Sequence, residues 1–123
     1  MNDYAPYTMG TGFSGIGVPD LAAHLLGIET LWQIERDPYC LKVLERHFPD
    51  ATRYTDIFEA HDLPPTDIQV YGFPCQPFSL AGRRQGVKDE RYLVPEMLRV
   101  IDETRPRVVV LENVPGFPTI ADG

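Results

Sequence analysis

The sequence predicts an α/β fold with a mostly parallel sheet, and three observations lead to that class. Short apolar segments typical of strands alternate along the chain with segments of helical periodicity. The β-branched run at 108–110 is typical of a strand buried on both faces of a parallel sheet. Glycine, cysteine and acidic residues follow directly after predicted strands, at the edge where parallel sheets bind ligands. The length of 123 residues fits one domain.

Apolar periodicity, together with proline and glycine boundaries, predicts five strands and three helices. The strands cover 7–13, 30–34, 52–56, 67–71 and 107–111, and the helices cover 19–26, 38–48 and 92–104. Pro38 suits a first helical turn, with Asp37 as the N-cap. The apolar stripe of the first helix consists of Leu21, Ala22, Leu25 and Leu26. The segment 72–90 has no periodicity and is predicted to be a long loop, and loops of this length in compact domains are usually functional or disordered.

The composition excludes several classes of protein. No run approaches the roughly 18 apolar residues of a membrane-spanning helix, and the N-terminus lacks the features of a secretory signal. Two cysteines are too few for a disulfide framework or a zinc cluster, so no metal site is predicted and a reducing, cytoplasmic compartment is expected. The net charge is −7, from 18 acidic and 11 basic side chains. Because surfaces that bind nucleic-acid phosphates are usually basic, any affinity for DNA would come from elsewhere or from local basic residues.

A glycine-rich turn follows the first predicted strand and reads FSGIG from Phe13 to Gly17. Glycines here let a ligand approach the backbone and leave helix N–H groups available to it. Glu35 ends the second strand 18 residues after Gly17, near the spacing at which a carboxylate binds ribose hydroxyls. Asp20 stands where a dinucleotide-binding motif has its third glycine and would repel a pyrophosphate, which favours a nucleoside cofactor without phosphates. A tight turn plus an unrelated surface carboxylate explains the same residues equally well.

Two further residues have the chemistry of a nucleophile and of a proton carrier. Cys75 lies in the segment GFPCQPFS, between two prolines and after a strand, where a thiol is exposed and readily activated. Glu112 directly follows an apolar strand and is expected to be partly buried, which favours its protonated form; a cap at the strand end is the alternative. Cys40 is predicted to be an inert packed residue. The histidines are predicted to be structural or surface residues: His24, His47 and His61.

These motifs resemble those of the cytosine carbon-5 DNA methyltransferase family, which transfers a methyl group from S-adenosylmethionine. They occur in the family's order along nearly the whole chain: FSGIG, Glu35, Asp56, GFPCQPFS, GVKDER at 86–91 and ENV at 112–114. GFPCQPFS followed by ENV is highly specific to the family. The resemblance implies a Rossmann-like S-adenosylmethionine-dependent methyltransferase fold, with a mostly parallel sheet truncated after about the fifth strand.

The resemblance also implies a role for each matching residue. Phe13 would stack on the adenine ring, Glu35 would bind the ribose hydroxyls, and Asp56 would accept a hydrogen bond from the adenine amino group. The glycines of FSGIG would leave room for the methionine part. Cys75 would attack carbon-6 of a cytosine flipped out of the duplex, and Glu112 would hydrogen-bond ring nitrogen 3. The implied cofactor-binding residues are Phe13, Gly15, Gly17, Glu35, Asp56, Ile57 and Pro74, and the implied DNA-contacting residues are Gln76, Ser79, Arg83, Arg84 and Arg91.

Family members are typically more than twice as long, so residues 1–123 are interpreted as a partial catalytic and cofactor-binding domain without the target-recognition region. On this interpretation the chain comes from a bacterial or phage restriction-modification setting. It would need double-stranded DNA, and the missing region or a second chain, in order to act. Residues 108–111 would form an exposed apolar edge open to association. The main alternative is a catalytically silent domain that binds S-adenosylmethionine or a partner. A nicotinamide-dependent oxidoreductase leaves the pair of Cys75 and Glu112 unexplained, and a cysteine hydrolase lacks a histidine at a strand end.

Overall fold

A five-stranded sheet with three helices forms the part of the chain that the computed structural model describes, residues 6–72 and 93–113. The strands are β1 (Thr8–Gly12), β2 (Glu29–Ile34), β3 (Thr52–Tyr54), β4 (Ile68–Gly72) and β5 (Val108–Glu112), and the helices are α1 (Val18–Leu25), α2 (Pro38–His47) and α3 (Val94–Thr104). All strands are parallel, in the order β3-β2-β1-β4-β5. The predicted α/β class and elements are therefore confirmed, with ends shifted by one or two residues. The predicted loop at 72–90 lies outside the described residues except for Gly72.

Strand β1 carries two glycines because aromatic rings lie directly against it. A Cβ atom on Gly10 would stand 2.2 Å from the ring of Trp32, and one on Gly12 would stand 2.2 Å from the ring of Tyr71. Both rings are fully buried in a close-packed core and have no room to move aside. The two glycines that interrupt the apolar pattern of this strand therefore allow the core to close over it.

The polar atoms of these two rings are satisfied inside the core. The indole Nε1 of Trp32 donates to the carbonyl oxygen of Pro64 over 3.1 Å, and the Tyr71 hydroxyl donates to Oε1 of Gln69 over 2.7 Å. Burial raises the pKa of Tyr71, so its hydroxyl stays protonated and remains a donor. The inner face of α3 packs on this centre through Met97.

The first helix presents a different face to the sheet from the one that its apolar residues predict. The predicted stripe is exposed along its whole length, at Leu21, Ala22, Leu25 and Leu26. Asp20 and Ala23 are buried instead. The helix takes this orientation because the Asp20 carboxylate accepts hydrogen bonds from Thr11 in β1 and Gln33 in β2. A buried carboxylate needs such donors, and they outweigh the apolar pattern.

The second helix begins as predicted. Asp37 is the N-cap, and its Oδ1 accepts from the backbone N–H of Cys40 over 2.9 Å, with Pro38 at the first helical position. This hydrogen bond lowers the pKa of Asp37. Leu44 is fully buried and Phe48 partly buried, so these two residues lie on the inner side of the helix.

Strand β5 lies at the edge of the sheet, and the prediction that it is buried on both faces is wrong. Val108, Val110 and Leu111 are 52%, 46% and 52% exposed, while Val109 packs partly against the core. Among the described strands, β5 has a neighbour on one side, β4. The exposed apolar edge predicted for 108–111 is therefore confirmed.

The strand order reverses between β1 and β4. From β1 the chain runs through α1 to β2 and through α2 to β3, and it then returns to form β4 on the other side of β1. The carboxyl ends of β1 and β4 flank this reversal, which is the usual place for a ligand in an open parallel sheet.

Candidate functional site

The turn after β1 is held in a strained conformation by hydrogen bonds to β2. Phe13 has a left-handed φ of 54°, which is unfavourable for a residue with a side chain. The N–H of Ser14 donates to the carbonyl oxygen of Ile34 over 3.1 Å, and the N–H of Gly17 donates to that of Ser14 over 3.1 Å. The Phe13 ring meets the ring of Tyr71 edge-on, with 6.4 Å between their centroids. These contacts fix the predicted adenine-stacking residue at the carboxyl end of β1.

The two glycines of the turn lack side chains for different reasons. Gly15 has a φ of 58°, and a Cβ atom there would meet nothing within 4 Å, so this side of the turn is open to a ligand. Gly17 has a φ of 91°, and its Cβ atom would stand 2.6 Å from the Phe48 ring and 2.9 Å from Cδ2 of Leu44. Packing against α2 thus requires a glycine at position 17, whatever its part in ligand binding.

The Glu35 carboxylate connects the turn after β1 to the turn after β2. Its Oε1 accepts from the N–H of Gly15 over 2.8 Å, and its Oε2 accepts from the N–H groups of Arg36 and Asp37 over 2.9 and 2.8 Å. A carboxylate has about four acceptor positions, and these three bonds leave one on Oε1. Glu35 is therefore held rigidly beside the open side of Gly15 and is suited to accept a hydrogen bond from a hydroxyl group.

The turn after β3 carries the next predicted pair, Asp56 and Ile57. Asp56 is exposed, and its Oδ1 accepts from the N–H of Phe58 over 2.9 Å, which orients the carboxylate. Ile57 is only 3% exposed and belongs to the hydrophobic core. Its side chain is therefore a core residue, and any contact from Ile57 to a ligand would come from its main chain.

The carboxyl ends of β1, β4 and β5 meet at Gly72. A Cβ atom on Gly72 would lie 3.5 Å from Oε2 of Glu112 and 3.8 Å from the carbonyl oxygen of Phe13. Glu112 pairs in register with Gly72 across the sheet. The predicted acid and the predicted adenine-stacking residue thus share one rim. Glu112 is exposed, however, so the expectation that it is partly buried is wrong.

A buried polar network lies beneath this rim. Asp20 is fully buried, and its Oδ1 accepts from Nε2 of Gln33 over 2.9 Å and from Oγ1 of Thr11 over 3.3 Å. Thr11 shares a 2.8 Å hydrogen bond with the hydroxyl of Ser14, so the network reaches the FSGIG turn. Burial raises the pKa of Asp20 despite these bonds. The expected repulsion of a pyrophosphate by Asp20 is not supported, because the carboxylate is buried in the interior.

Several predicted residues lie outside the described part of the chain: Pro74, Cys75, Gln76, Ser79, Arg83, Arg84 and Arg91. Within that part, Cys40 is half-buried. Burial and the neighbouring Asp37 and Glu35 carboxylates raise the pKa of its thiol, which agrees with its predicted inertness. Residues 6–72 and 93–113 contain no cluster of three or more His, Cys, Asp or Glu that would hold a metal ion. None of the described helices is long and apolar enough to cross a membrane.

Sequence reasoning missed two residues that support the site. One is Asp20, whose buried role was hidden because an acid between apolar positions also reads as a surface residue. The other is Arg99 of α3, which hydrogen-bonds the main chain of the 56–60 turn. Its spacing to Glu96 and Glu103 signals an ion pair on a helix but gives no sign of a contact so distant in sequence.

The parallel sheet, its reversal of strand order and the polar rim define a Rossmann-like α/β domain of the kind that binds nucleosides. The structure of the S. pombe Dnmt2 methyltransferase shares this fold, with a TM-score of 0.68 and 20% identity, over 95% of this chain and 37% of that chain. Residues 8–122 match the sequence profile of the C-5 cytosine-specific DNA methylase family. The chain belongs to this family, whose members use S-adenosylmethionine as methyl donor.

Two relatives are Type II methyltransferases of bacteria. The chain is 41% identical over 117 residues to M.AquIA of Picosynechococcus sp., which covers 85% of this chain and 47% of the relative. It is 35% identical over 114 residues to M.HhaI of Haemophilus parahaemolyticus, which covers 90% of this chain and 35% of the relative. The chain thus spans about half or less of the length of these relatives.

Proposed function

We propose that this chain carries the cofactor site and part of the catalytic site of a DNA (cytosine-5-)-methyltransferase. The main support is the rim at Gly72, where Oε2 of Glu112 and the main chain of Phe13 both lie within 4 Å of the same Cβ position. A methyl donor bound beside Phe13 and a base held by Glu112 would therefore be neighbours. We also propose a bacterial or phage restriction-modification setting for this enzyme, in the cytoplasm where the DNA lies; its likeness to bacterial Type II methyltransferases supports this proposal.

The residues after β1, β2 and β3 fit the adenosyl part of S-adenosylmethionine. Phe13 offers a partly exposed ring for adenine, Asp56 an exposed carboxylate for its amino group, and Glu35 an open acceptor position for a ribose hydroxyl. Gly15 leaves open space for the rest of the molecule, with Gly17 at the helix start. Ile57 contributes through its main chain, and Pro74 completes the implied set. When bound, the cofactor supplies an electrophilic methyl group on a sulfonium.

The chemical step needs a nucleophile that activates the cytosine ring. The Cys75 thiolate adds to carbon-6 of a flipped-out cytosine, while Glu112 hydrogen-bonds ring nitrogen 3 and limits the build-up of negative charge on the ring. Carbon-5 then becomes nucleophilic and would take the methyl group from the sulfonium, whose carbon–sulfur bond would break to leave S-adenosylhomocysteine. Loss of the carbon-5 proton to a base breaks the bond to Cys75 and restores the ring. Gln76, Ser79, Arg83, Arg84 and Arg91 are the proposed DNA contacts.

The isolated chain is expected to be inactive without further protein. Its net charge of −7 opposes binding to DNA phosphates. The apolar edge of β5 next to Glu112 is exposed, and such edges pair with or pack against other protein surface. We therefore propose that double-stranded DNA is engaged together with an additional protein region or a second chain that covers β5.

Binding and trapping experiments test the two halves of this proposal separately. Titration with S-adenosylhomocysteine should show micromolar or weaker binding by the chain, lost in Glu35→Ala but kept in Glu29→Ala at the other end of β2. In a complete enzyme containing this chain, a duplex with 5-fluorocytosine should form a covalent adduct, abolished by Cys75→Ser and kept in Cys40→Ser. Persistence of the adduct in Cys75→Ser would remove Cys75 from its role. Binding without any transfer in the complete enzyme would favour the catalytically silent alternative, and robust transfer by the isolated chain would contradict its proposed incompleteness.

A further inference from the structure

Arg99 connects helix α3 to the turn after β3. Its Nη2 donates to the carbonyl oxygen of Ile57 over 2.8 Å, and its Nη1 donates to that of Ala60 over 3.2 Å. The planar guanidinium presents donors in a fixed fork, so it can hold two carbonyl groups at a defined separation. A lysine has one nitrogen and cannot reproduce this geometry.

Two carboxylates on the same helix hold the Arg99 side chain in place. Its Nε donates to Oε2 of Glu96 over 2.8 Å, and its Nη1 donates to the Glu103 carboxylate over 3.0 Å. Burial alone would lower the pKa of Arg99, but the hydrogen bonds to Glu96 and Glu103 outweigh it and raise the pKa. The side chains of Arg99 and Glu96 are 23% and 25% exposed, whereas that of Glu103 is 39% exposed, so the charge-assisted bond to Glu96 is the better shielded from water.

The other hydrogen bonds of the turn are local in the described part of the chain. The N–H of Phe58 donates to Oδ1 of Asp56, the N–H of Glu59 to the Asp56 carbonyl, and the N–H of Ala60 to the Ile57 carbonyl. Bonds between residues two or three apart fix the shape of a turn but not its place in the fold. The long-range contacts of the turn include the buried side chains of Ile57 and Ala60, which belong to the hydrophobic core, and the two bonds from Arg99.

We propose that Arg99 is a positioning residue, which sets the place of the Asp56 carboxylate and of the Ile57 main chain against the adenine ring. The inference rests on the proposed function, in which Asp56 accepts a hydrogen bond from the adenine amino group. Hypoxanthine has a carbonyl oxygen in place of the amino group, so this position of the base offers Asp56 an acceptor instead of a donor. The preference for an adenosyl over an inosyl ligand therefore reports how well Asp56 is placed, whereas a general loss of folding weakens both ligands equally.

The test compares Arg99→Lys with Arg105→Lys. Both variants keep the charge and lose a guanidinium, but Arg105 is exposed and is paired with Asp102 alone among the salt bridges of the described chain. NMR titration with S-adenosylhomocysteine and S-inosylhomocysteine measures the preference for adenine. Amide hydrogen exchange in the free chain measures the order of the turn at Phe58, Glu59 and Ala60. We expect Arg99→Lys to lower the preference about tenfold and to speed exchange at these amides about tenfold.

The β1 amides should exchange as in the wild type, which separates a local effect from a loss of folding, and Arg105→Lys should match the wild type in both measurements. An unchanged preference for adenine in Arg99→Lys, or unchanged exchange at all three amides, would overturn the inference. Wild-type chain that binds neither ligand, or binds both equally, would overturn the proposed adenine site and with it the ligand part of the inference. The exchange rates would then still decide whether Arg99 holds the turn.

Discussion

The two halves of the sheet, one toward β2 and the other toward β5, differ in what they bury. On the side of β2, a charged residue is buried: Asp20 is fully enclosed with Gln33 and Thr11. On the side of β5, apolar residues are exposed, and Val108 and Val110 are about half accessible to water. The first side keeps polar groups inside because they hold the turns that carry Phe13 and Glu35.

This difference divides the rim at the carboxyl ends of the strands into two parts. One part is held in place by its own hydrogen bonds, and the other part needs further protein to cover it. The turns after β1 and β2 are fixed by hydrogen bonds among described residues, including the three that Glu35 accepts. Glu112 stands on the exposed strand instead, beside apolar side chains that lack cover. We expect substitutions in the turns after β1 and β2 to lower the free energy of unfolding strongly, and substitutions on β5 to lower it little.

The largest effect is expected from Asp20→Ala. Removing the carboxylate takes away the acceptor of the buried Gln33 amide and leaves a cavity beside Thr11, which should lower the free energy of unfolding by about 3 kcal/mol. Urea denaturation measures it. The matched substitution on β5, Glu112→Ala, should change the free energy of unfolding by no more than about 0.5 kcal/mol. Equal losses in the two variants would contradict the contrast between the two sides.

A smaller loss is expected from Glu35→Gln. An amide offers one acceptor oxygen, and its NH₂ group opposes the backbone donors that face the other carboxylate oxygen. The variant should lose about 1 to 2 kcal/mol of unfolding free energy. Thermal or urea unfolding provides the measurement, with Glu29→Gln at the exposed start of β2 as the control. Wild-type stability in Glu35→Gln would show that the carboxylate does not fix the two turns.

A pH-dependent effect is expected from Asp20→Asn. Burial raises the pKa of Asp20 above its ordinary 3.8, so the folded chain binds this proton more tightly than the unfolded chain. Its contribution to stability is present below pH 3.8 and is lost as the pH rises through the folded-state pKa. The stability of Asp20→Asn relative to wild type should therefore increase from acidic to neutral pH, as measured by urea unfolding across that range. Asp102→Asn at an exposed position serves as control, and a constant difference would contradict the raised pKa.

The smallest effect on stability is expected from Val110→Thr on β5. An added hydroxyl at this half-exposed position should change the unfolding free energy by no more than about 0.5 kcal/mol and should weaken any self-association of the edge. Val100→Thr, the same change in the buried face of α3, should cost about 2 kcal/mol. Urea unfolding measures the stability of both variants, and light scattering measures their self-association. A large loss in Val110→Thr would mean that β5 is covered.

Local signals in the sequence were read correctly where one residue type decides the outcome. Asp37 with Pro38 predicted the start of α2, and the β-branched run predicted β5. Four predicted site residues lie at or just after the carboxyl ends of their strands and therefore at one edge of the parallel sheet: Phe13, Glu35, Asp56 and Glu112. Errors arose where the outcome depends on neighbours distant in the chain. The stripe of α1 turned outward because donors on two strands hold Asp20 inside.

By itself, the sequence determined the succession of strands and helices along the chain, the family and the residues at the strand ends, since periodicity, capping and motif spacing are local properties. Only the tertiary structure decided which of those residues meet. The contact at Gly72, the burial of Asp20 and the reach of Arg99 to the 56–60 turn join residues about 10 to 60 positions apart. Such contacts depend on the order of the strands within the sheet and on which donors lie on neighbouring strands, and local sequence patterns predict neither.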